Sequence, residues 1–189
     1  MTLILLSFSI TIPNLAAQNV TNISRLFDQL NHQGTSDHAA LQIRQAALKD
    51  PAVRQYIVEK LPGMIDKPEV NKVWRNAVRL AGNLKVSEAI PSLQNAFARG
   101  QQGRPAGTTL TSEMQLDDDV VAKALAEIGE QSIPAVKSFL TNGDSKARRR
   151  AVLILLNMKS AAAGRILEEQ LQRETDPRIK SLIESGLRR

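Results

Sequence analysis

The chain of 189 residues is long enough to form one domain with a sizeable core. Its 42% apolar content excludes an intrinsically disordered or integral membrane protein, and the lack of cysteine excludes disulfides, thiolate zinc sites and a cysteine nucleophile. The formal net charge is +6, and residues 144–189 carry most of it, with 11 basic and 6 acidic side chains. A solvated basic face is the simplest interpretation, although an acidic partner, a nucleic acid or an anionic surface would also fit.

At the N-terminus, residues 3–12 form an apolar run that Pro13 interrupts, and residues 15–18 resemble a cleavage site for export. We therefore predict an export signal over residues 1–17, which implies a periplasmic or secreted protein. The run is too short to span a bilayer, which takes about 20 residues, so we expect no transmembrane segment in the mature chain. A buried N-terminal segment and a membrane anchor are the alternatives, and an unprocessed protein would be cytoplasmic.

Residues 18–35 are predicted to form an N-terminal capping helix. Ile23, Leu26, Phe27 and Leu30 follow the i, i+3, i+4, i+7 spacing of an amphipathic helix, and Gly34 ends it.

Helices are predicted throughout the rest of the chain, because every break carries Gly, Pro, Asn or Asp and no segment alternates as a strand does. An aromatic content of 3% also favours closely packed helices over a sheet. A stretch rich in Gly, Gln and Thr near residues 100–114 predicts an inserted loop. The predicted helices are 36–49, 51 to before 62, 68–82, 89–98, 117–128, 132–140, 144–158, 161–172 and 177 to the end of the chain.

The hairpin over residues 117–140 is the clearest of these units. Its aspartates at 117–119 suit the free N–H groups of a first helical turn, and Gly129 can adopt the positive φ that ends a helix. Ser132 is predicted to cap the second helix, whose first turn tolerates Pro134. A lone hairpin cannot bury its apolar stripes, so it implies neighbours of the same kind.

The units recur along the chain. When helices opening at positions 36, 70, 117, 144 and 176 are aligned, the residues three, seven and eleven positions later are all apolar and many are small. Spacings between these openings are about 30 residues, apart from the interval that contains the inserted loop. Such a period is typical of stacked helical hairpins.

These units resemble the short HEAT repeat, of the variety first described in phycobilisome lyases. The pattern is an opening Asp, then a basic residue and Ala, and it is clearest in DSKARRRAVLILL, DDDVVAKALAEIG and DPRIKSLIESGL, with WRNAVRLAGNL matching its second half. The resemblance implies an all-α fold, a right-handed α-solenoid of about 4–5 helical pairs over residues 36–189. It implies a fold more specifically than a function.

Catalytic motifs are not found: there is no G-x-S-x-G, phosphate-binding Gly-rich loop or H-E-x-x-H. His32 and His38 lie in a polar turn without an acidic cluster, so we expect no metal, and we expect no cofactor. The aspartates at 117–119 suit helix capping better than a calcium site, which needs six or more oxygens from a spaced loop.

The run from Lys146 to Arg150 is the strongest charged feature and predicts possible anion contacts at Lys146, Arg149 and Arg150. Its arginines fan around the helix instead of forming one stripe. With few aromatic residues for bases to stack on, and Trp74 placed mid-helix for packing, nucleic acid is not the expected partner.

The sequence is most consistent with a non-enzymatic, monomeric scaffold that binds another protein. By analogy with HEAT solenoids, in which second helices line the concave side, the candidate partner-binding residues are Gln94, Lys137 and Glu168, with Arg104 from the inserted loop. The alternatives are an accessory or lyase-type subunit resembling phycobilisome lyases, and a HEAT-like nucleic-acid-binding protein.

Overall fold

A computed structural model describes residues 14–30, 32, 34–100 and 118–188. The regular elements of this part are helices, and it contains no strand. Short 3-10 turns lie at Ser87–Ala89 and Gly129–Ser132. The α-helices are α1 (Asn14–Gln29), α2 (Ser36–Lys49), α3 (Pro51–Ile65), α4 (Lys72–Asn83), α5 (Ile90–Ala98), α6 (Val120–Ile128), α7 (Ile133–Asn142), α8 (Ser145–Met158), α9 (Ala161–Arg173) and α10 (Pro177–Leu187).

The helices are arranged in two layers. The first-helix layer consists of α2, α4, α6, α8 and α10, each packed against the next, and the second-helix layer consists of α3, α5, α7 and α9. Helix α1 packs on α2 and α3 at the start of the stack. This arrangement confirms the predicted all-α solenoid, with helical pairs that bury their apolar stripes between neighbours.

Aspartates open α3, α6, α8 and α10, as the sequence predicted. In each case a carboxylate oxygen accepts a hydrogen bond from an N–H group of the first helical turn. The capping aspartates and their donors are Asp50 with Ala52 and Val53, Asp119 with Ala122, Asp144 with Ala147, and Asp176 with Arg178.

The boundaries of α3 and α4 differ from the prediction. Helix α3 continues through Pro62 to Ile65, because burial of Leu61 and Ile65 outweighs the backbone hydrogen bond that a proline cannot donate. Helix α4 then begins at Lys72 instead of Pro68, where the side chain of Asn71 accepts a hydrogen bond from the N–H of Trp74.

The central hairpin also contains one correction. Gly129 has a φ of 83°, as its predicted helix-ending role requires. Ser132 precedes α7 but does not cap it; its buried hydroxyl donates instead to the carbonyl oxygens of Leu125 (2.7 Å) and Gly129 (2.9 Å). Because the 3-10 turn brings this hydroxyl back towards α6, the hydroxyl can bond to carbonyl oxygens in the last turn of α6 and just after it.

The helices before and after residues 101–117 contact each other, because α4 packs directly on α6. At the contact, a Cβ atom added to Gly82 would lie 2.7 Å from the Cα atom of Ala124 and 2.5 Å from Oε2 of Glu127. The side chain of Glu127 can move aside, but the backbone of α6 cannot. Glycine at position 82 therefore sets the distance between the second and third helical pairs.

We predict that Gly82→Ala will lower the free energy of unfolding by about 1–2 kcal/mol, because overpacking costs about 1–3 kcal/mol and alanine recovers only about 0.5–1 in a helix. Urea unfolding monitored by circular dichroism measures this difference. The matched control is Gly164→Ala in α9, where an added Cβ meets no atom within 4 Å and should stabilise the helix. Equal effects of the two substitutions would contradict the close approach of α4 and α6.

Candidate functional site

A row of polar side chains crosses the second-helix layer. The Nε2 atom of Gln94 in α5 donates to the hydroxyl of Ser138 in α7 (3.2 Å). Beside Ser138 in α7, Nζ of Lys137 lies 3.4 Å from Oε2 of Glu169 in α9. We call this surface the second-helix ridge and define it as Gln94, Lys137, Ser138, Glu168 and Glu169. It links three consecutive helical pairs.

The ridge contains the predicted partner-binding residues that the structure describes. Gln94 is half-buried, whereas Lys137 and Glu168 are exposed; Arg104 lies outside the described residues. The sequence did not predict Ser138 and Glu169, which directly follow two of the predicted residues. The contacts of Ser138 and Glu169 depend on the register between neighbouring helices, which the amino-acid sequence alone does not reveal.

The ridge presents both hydrogen-bond donors and acceptors to solvent. The side chains of Lys137 and Glu169 are 46% and 58% exposed. An exposed ion pair of this kind contributes about 0–1 kcal/mol to stability, so both groups can exchange this contact for one with a partner at little cost. The ridge is thus suited to polar recognition.

The basic run of α8 is divided between surface and interior. Lys146 is exposed, and Arg149 is half-buried. Arg150 is 3% exposed and is therefore not available to an external anion, which corrects the prediction for this residue. Arg150 lies one turn further into α8 than Lys146, where Asp119 and Phe97 contact it.

Arg150 instead forms a buried ion pair. Its Nε donates to Oδ2 of Asp119 (2.7 Å), a terminal NH2 group donates to the carbonyl oxygen of Phe97 (3.1 Å), and the guanidinium carbon lies 3.8 Å from the centre of the Phe97 ring. Phe97 lies near the end of α5 and Asp119 just before α6, so this Asp119–Arg150 clasp joins the described residues on both sides of the segment 101–117. Its carboxylate also caps α6 through Ala122.

A second ion pair joins α8 to the connection between α9 and α10. The Arg148 guanidinium contacts both carboxylate oxygens of Glu174 (3.0 and 3.1 Å). Burial alone would raise the pKa of the Glu174 carboxyl, but hydrogen bonds from Arg148, the Asp176 N–H and Gln170, with the charge of Arg148, lower the pKa from 4.5 to about 2. The pair is a structural link between the last helices.

Other candidate sites are weaker. His32 and His38 are exposed, and no group of three His, Asp or Glu side chains in the described residues is arranged to hold a metal ion. Of the aspartates at 117–119, Asp118 is exposed and Asp119 belongs to the clasp, while Asp117 lies outside the described residues. Among the described helices, none has the length and apolar character needed to cross a membrane.

Two grooves lie outside the ridge. One, of about 590 Å³, separates α1 from α2. The other, of about 780 Å³, lies between α8, α9 and α10 and is lined mainly by leucines.

Arg150→Met is predicted to destabilise the protein by about 3–5 kcal/mol, because it leaves the carboxylate of Asp119 buried without its partner. Urea unfolding checks this, and the double variant Asp119→Asn/Arg150→Met should lose less than the sum of the single losses. Lys146→Met, on the exposed side of the same helix, is the control and should change stability by about 0.5 kcal/mol or less. Additive losses in the double variant would show that the clasp does not couple the two residues.

Glu174→Gln is predicted to lower stability at pH 7 by roughly 1.5–3 kcal/mol, as expected for hydrogen bonds to a charged group. The pKa of Glu174 is lowered on folding, so its contribution is complete above about pH 4.5 and is lost as the pH falls towards about 2. Unfolding experiments between pH 7 and pH 2 should therefore show the gap between wild type and variant closing. A gap of constant size would mean that the carboxylate charge does not stabilise the fold.

Comparison with known proteins places these helices in a wider context. Residues 112–188 match the family model described as HEAT repeats. No curated protein and no solved structure matches the chain significantly. The match includes α6 to α10 and covers less than half of the chain, whereas the sequence resemblance was drawn from residue 36 onward. The helical hairpins of residues 112–188 are therefore similar to HEAT repeats, within an all-α HEAT-type solenoid.

Proposed function

We propose that this protein is a non-enzymatic scaffold that binds another protein through its second-helix ridge. The observation that carries the proposal is the continuity of the ridge: Gln94 contacts Ser138, and Lys137 contacts Glu169, across three helical pairs. A solenoid presents such a row as one extended surface, because each pair contacts only its neighbours.

The chemistry of the ridge fits a polar protein surface. Lys137 offers three N–H donors, the carboxylates of Glu168 and Glu169 accept, and Gln94 does both. Apolar residues hold the helices in position from below, while the exposed polar residues select the partner. HEAT repeats commonly act as protein-interaction scaffolds, which supports the same conclusion.

Site-specific crosslinking tests this function. A photoreactive benzoylphenylalanine placed at Glu168 is expected to crosslink one defined protein in native extract, which mass spectrometry can identify. The matched control carries the same group at Arg79, an exposed position in the first-helix layer. The additional change Lys137→Glu should abolish the crosslink at position 168. Equal crosslinking from both positions, or none from position 168, would refute the ridge as the binding surface.

Two finer aspects are part of the proposal. The short repeats opening with Asp117, Asp144 and Asp176 favour the repeat variety of phycobilisome lyases. A lyase-type role predicts a visible absorption shift when the protein is incubated with a bilin and its acceptor protein, and a purely scaffolding role predicts none.

We further propose export through residues 1–17. Residues 1–13 lie outside the described part of the chain, and α1 begins at Asn14, before the predicted cleavage position after Ala17. N-terminal sequencing of the natively expressed protein decides between a chain beginning at Gln18 and one that retains Met1.

A further inference from the structure

The groove between α1 and α2 is a second surface with distinct chemistry. It has a volume of about 590 Å³ and extends from the middle of both helices to the start of α3. Its lining combines apolar, amide and charged side chains: Asn19, Asn22, Ile23, Arg25, Leu26, Gln29, Gln42, Gln45, Ala46, Lys49, Asp50 and Val53.

Apolar side chains occur in this groove and on the exposed face of α2, which forms one of its walls. Its floor contains the buried Ile23 and the half-buried Leu26. On the outer face of α2, Leu41 and Leu48 are 48% and 67% exposed and lie seven residues apart, so they are aligned two helical turns from each other. Two aligned, exposed leucines on a helix are typical of a surface that packs against another helix.

The groove is also positively charged. Arg25 and Lys49 are exposed on opposite walls, and no salt bridge of the described residues involves either of them. Asp50, the carboxylate in the lining, is already engaged: it accepts from Asn19 (2.8 Å) and from the N–H groups that it caps at the start of α3. Its donors are neutral, so Asp50 keeps its charge, but two cations against one carboxylate leave the lining with a net positive charge that attracts an external anion.

We propose that this groove binds an acidic amphipathic helix of a partner protein. The apolar side chains of that helix pack on Leu26, Leu41 and Leu48, and its carboxylates pair with Arg25 and Lys49. Charge complementarity selects an acidic helix over a basic one, and the aligned leucines select an amphipathic helix over a uniformly charged peptide. The groove lies on α1 and α2, apart from the second-helix ridge, so this site stands whether or not the ridge binds a partner.

Fluorescence anisotropy with synthetic peptides tests the site. The probe is a labelled peptide of about 15 residues with leucines along one helical face and glutamates beside them, long enough to form a helix on binding. The full chain is expected to bind it, and added salt should weaken binding. The variants Arg25→Glu/Lys49→Glu and Leu48→Ser should each weaken binding by at least about tenfold. A matched peptide with lysine in place of glutamate should instead bind the charge-reversed variant.

The control is Arg178→Glu/Lys180→Glu on α10, which makes the same change in net charge at the other end of the solenoid. It should leave binding of the glutamate peptide unchanged, and circular dichroism should show all variants folded. Equal weakening by this control, or no binding by the wild-type chain, would overturn the proposal. Binding that appears only after removal of residues 1–13 would also overturn it, by assigning the groove to the chain's own N-terminal segment.

Discussion

The buried pairing of Asp119 with Arg150 is the contact on which the organisation of this solenoid depends. Its carboxylate caps α6, its guanidinium reaches from α8 to the Phe97 carbonyl at the end of α5, and both groups are almost fully buried. A buried ion pair need not increase stability over an apolar substitute, because removing two charges from water is costly. The pair instead specifies how the helices are placed, because all of these hydrogen bonds form together when α5, α6 and α8 have this register.

This clasp also joins the helices on the two sides of residues 101–117. Phe97 and Asp119 are joined through Arg150, and α4 packs directly on α6 through Gly82. The described helices on the two sides of this segment are therefore held together by direct contacts. Each later helical pair packs its apolar residues against those of the preceding pair.

The same arrangement separates structural charges from those available to partners. Arg148 and Arg150 each contact a carboxylate, of Glu174 and Asp119 respectively, and connect helices to each other. In contrast, the Lys137–Glu169 pair is exposed, and Arg25 and Lys49 flank an open groove. The number of basic residues is thus a poor guide to binding, because burial decides which of them can meet a ligand.

The sequence by itself determined the helical hairpins, the aspartate caps, the positive φ of Gly129 and the apolar positions of the core, because these depend on spacing within one helix or turn. Only the tertiary structure decided that α3 passes through Pro62, that Ser132 bonds back to α6, and that Arg150 is an interior residue. Each of these outcomes depends on a neighbouring helix that supplies burial, a carbonyl or a carboxylate. The ridge illustrates the same point: resemblance to HEAT solenoids suggests Lys137 and Glu168 as surface candidates, whereas the register between repeats places Ser138 and Glu169 beside their contacts in neighbouring helices.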